Sequence, residues 1–373
     1  MTIVGLIAPP LPGAQWYDVA CRTLFVFGAI AVSVLYFGTA AARSRIVGAI
    51  VVAYAALQIV TPYGVSNQRI DVFVWTQTAL GALRSGMHPY VARIPVGSYD
   101  GTTAAVYPYM PATLIAFFPA FLLFGDCRVL SAVAIPAAVV LNRAAGRRLG
   151  VNSAFLDATT LAFVLHPRGT WITANAWNES LLVFAVSLFT HLAVRRPAGR
   201  AQAIAFFLLA SLKQYLAAPL LLYVGTTPPR QRLSHLAQAA AIASLTVAPF
   251  LVWNWRATLH GIVTQMIAPA APRVDSTSFV ALVALTAGVS ATRWLSIAVH
   301  FTAAAIAYAY LRHRGLGGVL LASALTLTAT FLAGWQAFVN YYYLAAMMFL
   351  TAAMVLAVGG EGARRPCDRR APR

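Results

Sequence analysis

Asp71-Val-Phe-Val-Trp75, Gly86-Met-His88-Pro89-Tyr90 and Tyr107-Pro-Tyr-Met-Pro111 mark the one long polar interval in the first half of a 373-residue chain. Apolar runs near 20 residues flank this interval and recur toward the C-terminus. Each is long enough to cross a bilayer core of about 30 Å. Hydrophobic residues make up 60% of the chain and charged ones 10%, with mean hydropathy +0.73. A soluble domain carries about a quarter charged residues, and its helices keep a polar face that these runs lack. The composition therefore predicts an all-α fold, a polytopic transmembrane helical bundle forming one membrane domain over residues 1–358, with a basic cytoplasmic tail at 359–373.

Within the interval, taken as a loop over about 64–104, Ile70–Arg84 can form a helix broken at Ser85-Gly86 and stopped by Pro89. It is too short and too polar to span, so it is expected along the membrane interface. Two of the nine acids, Asp71 and Asp100, lie here. A carboxylate held at that surface can act as general base, taking a proton from a hydroxyl as it attacks. For Asp71 the competing assignment is a helix cap that complements the helix dipole. Asp100, in a Ser-Tyr-Asp-Gly turn, is the weaker candidate base.

The net charge of +18 does not point to nucleic acid. The arginines sit in short clusters between apolar runs: Arg43/Arg45, Arg143/Arg147/Arg148, Arg195/Arg196/Arg200, Arg230/Arg232, Arg312/Arg314 and Arg364 to Arg373. Cytoplasmic connections are enriched in this way, and the tail also suits anionic lipid headgroups. The first spans are expected at about 23–42 and 46–63, turning at Arg43-Ser-Arg45. Later apolar segments fall at about 105–124, 129–141, 153–165, 177–194, 201–224, 233–253, 278–288, 294–311, 316–332 and 338–358. Putting every arginine cluster on one side requires an even number of crossings between neighbouring clusters. That fails in three intervals unless one segment in each does not cross. The candidates are the proline-rich 107–119, a segment interrupted by Lys213 and Pro219, and the short 278–288. About eight full crossings are expected, with partial helices around an internal cavity, since irregular backbone at depth must be buried or line a cavity. Cys21, Cys127 and Cys367 show neither a disulfide framework nor metal-ligand spacing, and no cleavable signal peptide is expected.

Lys213 is the only lysine; the other 26 cationic side chains of the 27 are arginine. An ionisable residue inside an apolar run should face a cavity or a counter-charge. It reads as a cationic partner for a phosphate, with an ion pair to Glu179 or snorkelling to the interface as the alternatives. Glu179, opening the run after Trp177-Asn178, suits hydrogen bonding to sugar hydroxyls or a cap. His166 and Arg168 could hold phosphate or anchor the headgroup region. Asn340 and Tyr341 could floor the cavity, while Tyr342 and Tyr343 read as an interfacial belt. Tyr107 and Tyr109, with their prolines, would stiffen the interval's exit into the membrane. No His/Asp/Glu/Cys group has metal-site spacing.

These motifs resemble the polyprenyl-phosphate-sugar-dependent glycosyltransferases of the GT-C superfamily, and within them glycosyltransferase family 87, the α-mannosyltransferase-like group (DUF2029). The resemblance rests on Asp71-Val-Phe-Val-Trp75, Gly86-Met-His-Pro-Tyr90 and Tyr107-Pro-Tyr-Met-Pro111, then Trp177-Asn-Glu179, Lys213-Gln-Tyr215 and Asn340-Tyr-Tyr342, over about residues 67–350. Tyr109 departs from the family's second proline, and an extra span precedes the Asp71 interval. The resemblance implies transfer of a sugar, mannose in the first instance, from a polyprenyl-phosphate donor to a lipid or glycan acceptor, with inversion. The site would lie on the extracytoplasmic face of a bacterial plasma membrane. Asp71 would be the base; Lys213, Arg168 and His166 would meet the donor phosphate. Tyr107, Tyr109, Glu179, Gln214, Tyr215, Asn340 and Tyr341 would bind substrate. No cofactor is expected; a divalent metal is compatible but not required. The rival class is a transporter or lipid-linked sugar flippase, although no repeated halves are visible. A glycan polymerase or ligase, using paired arginines such as Arg256 and Arg273, is a second.

Overall fold

The computed structural model describes residues 15–65, 71–93, 106–166, 168–196, 200–264, 276–288, 293–334 and 337–362. Asp100, Arg273, Cys367 and the tail arginines lie outside them. Among the described residues there are fifteen α-helices and no strands. They run α1 Gln15–Phe37, α2 Ala40–Gly64, α3 Asp71–Arg84, α4 Pro111–Phe124, α5 Arg128–Leu149, α6 Ser153–Val164, α7 Gly169–Ala174 and α8 Glu179–Arg195. There follow α9 Arg200–Leu212, α10 Ala217–Thr226, α11 Pro229–Leu259, α12 Phe279–Ala287, α13 Arg293–Leu311, α14 Gly315–Leu332 and α15 Val339–Gly362. Five helical stretches are long and apolar enough to cross a membrane: Ala40–Gly64, Arg128–Leu149, Pro229–Thr264, Trp294–Leu332 and Val339–Val358. The sequence predicts about eight; 153–165 and 177–194 form helices of only 12 and 17 residues, and 294–311 and 316–332 fall within one apolar stretch.

Side-chain contacts sort the helix ends into two groups. At one end, Asp157 takes Arg43 at 3.2 Å and Arg143 at 2.7 Å. Also there, Arg232 and the Tyr308 hydroxyl both donate to the Gly225 carbonyl at 3.0 Å, and Arg312 lies over the Tyr308 ring. Gly146 against Met354 and Gly317 against Leu356 join these two sets through α15. At the other end, Arg128 donates to the carbonyls of Pro62 (2.8 Å) and Val65 (2.7 Å), and Ser131 bonds Ser180 at 2.8 Å. The ends of α2 and the starts of α5 and α8 therefore meet there.

This arrangement meets the parity condition. Short α4 begins with Thr113 bonded to the Leu212 carbonyl and ends at Gly125, whose carbonyl takes Gln77 of α3. Helices α9 and α10 form a hairpin through residues 213–216, with Tyr223 folded back onto Phe206 and Phe207. Pro219 falls in the first turn of α10, where a missing N–H is harmless. Helix α12 has nine residues and starts beside Ala337, at the end opposite the arginines.

Two boundaries differ from expectation. The first break is at Gly38-Thr39, not at Arg43–Arg45; Thr39 caps α2 by accepting the Ala42 N–H, and arginine is a good helix former. The segment expected at about 233–253 does not end there: residues 254–264 are also helical. Asn254 (φ −158°) interrupts α11 and its Oδ1 accepts the Ala257 N–H, so a kink with a fresh cap replaces the expected end.

Candidate functional site

At the end opposite the arginines, four breaks in the helical path lie against one another. The first follows α3. Gly86 adopts φ +72° while Met87 N–H reaches Ala82 O and Gly86 N–H reaches Leu83 O, a Schellman ending that glycine suits. The chain then places His88 and Tyr90 inside. His88 Nε2 donates to the Phe250 carbonyl (3.2 Å), which also accepts the Thr258 hydroxyl at 3.0 Å, and its Nδ1 accepts the Tyr90 N–H. The Tyr90 hydroxyl donates to the Tyr109 carbonyl at 2.6 Å. Gln214 ties the carbonyls of Pro108 and Ile262 at 3.3 and 3.2 Å. The second break, Tyr107 to Met110, stays extended because the residue before a proline avoids the helical region. Its two tyrosine rings stack edge to face at 5.5 Å.

Glu179 and Lys213 form the centre. Glu179 is the first residue of α8 and 0% exposed; Lys213, in the α9–α10 break, is 3% exposed. Lys213 Nζ donates to Glu179 Oε1 at 2.5 Å, Tyr215 donates to the same oxygen at 3.1 Å, and Asn340 donates to Oε2 at 2.8 Å. The ammonium also faces the rings of Tyr341, Tyr215 and Tyr109 at 4.6, 5.1 and 5.3 Å. Three aromatic faces compensate part of the hydration that a buried cation loses. The ion pair weighed from the sequence is thus present.

Asp71 borders this centre. Its Oδ1 accepts the N–H of the adjacent Val72 at 2.8 Å, which engages one donor in the first turn of α3. One turn on, the Trp75 ring lies 6.2 Å from that of Tyr109. Burial pushes the Tyr109 phenol well above its usual value, and the nearby charges of Tyr341, Asp71 and Glu179 push the same way. Tyr109 therefore stands within electrostatic reach of both carboxylates.

Nine of the eleven sequence-derived residues meet here: Asp71, Tyr107, Tyr109, Glu179, Lys213, Gln214, Tyr215, Asn340 and Tyr341. His166 and Arg168 lie aside and make no hydrogen bond or ring contact with Lys213 or Glu179 among the described residues. His166 packs edge to face on Tyr343 at 4.9 Å, accepts the Arg168 N–H on Nδ1, and is pushed down to about 4 by burial and then by Arg168. It is a neutral imidazole at pH 7. Arg168 lies over Trp171 at 5.0 Å.

Arg128 escaped the sequence reading. It is 5% exposed, grips Asp126 at 2.7 Å, holds the α2 carbonyls and covers the Phe73 ring at 4.6 Å. It thereby fixes both sides of the connection that leads to Asp71. Its signal was an Asp-x-Arg directly before a span, in which the arginine brings its own counter-charge. Among the described residues no three His, Cys, Asp or Glu side chains are grouped to hold a metal ion.

The fold and this polar centre define an all-helical protein with five helical stretches long and apolar enough to cross a membrane, and with a buried, tyrosine-lined ion pair beside a half-buried carboxylate. Comparison with protein-family models, curated proteins and solved structures finds no match in any of the three.

Proposed function

We propose that the chain is an inverting glycosyltransferase of the GT-C type, similar to glycosyltransferase family 87. It would move a sugar, mannose in the first instance, from a polyprenyl phosphate to a lipid or glycan acceptor at the extracytoplasmic face of a bacterial plasma membrane. The observation that carries the reading is the convergence of Asp71 with Lys213, Glu179 and their tyrosines, across four sequence-distant breaks, at the end away from the arginine clusters. In this reading α3 lies along the outer interface. Asp71 takes the proton of the acceptor hydroxyl as its oxygen bonds the anomeric carbon from the face opposite the phosphate. The bond from that carbon to the phosphate oxygen breaks, and the polyprenyl phosphate departs with the electron pair. An ammonium has three donors; Glu179 takes one from Lys213, leaving others for a phosphate oxygen. Such donors act most strongly where charge develops in a water-poor site. His166 and Arg168, set aside from this pair on Tyr343 and Trp171, take no part in it. Glu179, Asn340, Gln214 and the tyrosines, including Tyr107, face sugar hydroxyls. The reading requires no metal.

The test is turnover of purified protein with a panel of polyprenyl-phosphate sugars, comparing wild type with Asp71→Asn. Asparagine keeps an oxygen for the Val72 N–H but is no base, so folding should persist while turnover falls about 10²-fold or more. Equal turnover would exclude Asp71 as base. Carrier translocation without sugar transfer would assign a flippase.

A further inference from the structure

The turn that closes α3 carries a histidine whose two ring nitrogens meet backbone groups of opposite kind. His88 is 5% exposed and enclosed by the rings of Trp253, Tyr90 and Phe250 at 4.9, 5.7 and 6.2 Å. Its Nε2 lies 3.2 Å from the Phe250 carbonyl, and its Nδ1 lies 3.3 Å from the Tyr90 nitrogen. A carbonyl can only accept and an amide N–H can only donate. These partners admit one form of the ring, the neutral tautomer with its hydrogen on Nε2. The Thr258 hydroxyl, 3.3 Å from Nε2, agrees with this, because its own hydrogen goes to the carbonyl of Phe250 or Asn254.

A second proton, on Nδ1, would face the Tyr90 N–H, donor against donor. No carboxylate stands by to take the added charge. Among the described residues, the side chains in hydrogen-bond or ring contact with His88 are Tyr90 from its own turn and Phe250, Trp253 and Thr258 from α11. Arg256 of α11 lies over Trp255 instead. Burial accordingly pushes the imidazole below its ordinary value.

Tyr90, held by this turn, is itself tied to the polar centre. Its hydroxyl donates to the Tyr109 carbonyl at 2.6 Å and its ring packs on Tyr107 at 5.7 Å. The Tyr109 ring stands 5.3 Å from Lys213 Nζ. We propose that His88 is a positioning residue: its neutral ring holds Tyr90, and through it Tyr109, against Lys213, and its protonation releases the turn. The hold is complete above the ordinary imidazole value of about 6.5 and is lost as pH falls below it. Its bearing on sugar transfer rests on the glycosyltransferase reading; the hold itself does not.

The test is hydrogen exchange by mass spectrometry on purified protein in micelles, at about pH 7.5 and about pH 5, with each rate divided by that of unstructured chain at the same pH. Wild type should lose about tenfold in protection at the Tyr90 and Val91 amides on acidification. His88→Asn keeps an oxygen for the Tyr90 N–H, as an Asx turn does, and takes up no proton in this range, so its protection should not change. His88→Leu lacks the acceptor and should be open at both pH values. Transmission to the centre is read at the higher pH by acetylation of Lys213, the one lysine in the chain. It should be several-fold faster in His88→Leu than in wild type or His88→Asn. The proposal fails if wild type and His88→Asn lose protection alike, or if Lys213 reacts as slowly in His88→Leu as in wild type. Should His88→Leu not fold, exchange in wild type against His88→Asn decides alone. Exchange and acetylation as expected, with no sugar transfer by wild type, would overturn the glycosyltransferase reading and leave the hold standing.

Discussion

Burying an ammonium against a carboxylate strips water from both, and the desolvation offsets most of their attraction unless further hydrogen bonds complete the shell. Around Glu179 the shell is complete, with Lys213, Tyr215 and Asn340 all donating. Removing one partner is therefore the damaging change. Lys213→Met should cost about 3–5 kcal/mol by stranding Glu179, and the double variant Lys213→Met/Glu179→Gln should regain much of it. Chemical denaturation of the four proteins in micelles measures the coupling; additive losses would show that the two charges are independent. A second residue-scale prediction concerns pH. His166, pushed down to about 4 in the folded chain, titrates near 6.5 when unfolded. The unfolded chain thus binds the extra proton between those values, so this stability contribution is present above about pH 6.5 and is lost as pH falls toward 4. Over that window wild type should lose up to about 3 kcal/mol more than His166→Gln, read from parallel melts. Superimposable pH profiles would mean that the imidazole is hydrated.

Where helices stop was legible in the sequence when one residue forces the stop. Ser85-Gly86 and the proline-flanked tyrosines did so, and the structure breaks there. The turn at Arg43–Arg45 was misread because charge is no helix breaker, whereas Thr39 supplies a cap. For Arg128 the Asp126-x-Arg128 spacing shows one partner, whereas the carbonyls of residues 62 and 65 come to it only in the fold. The Lys213–Glu179 pair was visible as a possibility, but its tyrosine cage depends on three breaks meeting in space. At the junction of α7 and α8, Ala176 holds φ +52° in a Schellman ending, with Trp177 N–H on Ile172 O. Left-handed alanine costs about 1–2 kcal/mol, and Ala176→Gly would relieve that but remove a buried methyl, about 0.8 kcal/mol. The melting temperature should stay level or rise slightly, unlike glycine placed within a helix. Gly261 is the opposite case. An added Cβ would lie 2.3 Å from the Tyr90 ring and 2.7 Å from the Tyr107 carbonyl. Because backbone cannot move aside cheaply, Gly261→Ala should destabilise by about 1–3 kcal/mol and lower any turnover at the adjacent centre. Wild-type melting and activity would contradict the close approach of this turn to the tyrosines.

At the scale of the whole molecule, the arginine clusters turn a list of apolar segments into a topology. Parity required three segments to turn back, and α4, the α9–α10 hairpin and α12 are those segments. Each carries its own reason: prolines at both ends of the Tyr107–Pro111 stretch, Lys213 with Pro219, and a run of nine residues. The result is a polarised bundle with Arg43, Arg143, Arg232 and Arg312 at one end and Asp71, Arg128, Glu179 and Lys213 at the other. Positive charge is retained on the cytoplasmic side during insertion, so the proposed function expects the polar centre to face outside. Single cysteines can test this in a background lacking Cys21, Cys127 and Cys367. Exposed Arg147 and Arg314 at one end and exposed Met87 at the other are the sites to replace. In sealed right-side-out vesicles, a membrane-impermeant maleimide should label Met87→Cys from outside and should reach Arg147→Cys and Arg314→Cys only after permeabilisation. Labelling of all three from one side would break the parity argument. Reversed labelling would leave the bundle intact but bring Asp71 to the cytoplasmic face, where an extracytoplasmic acceptor could not meet it.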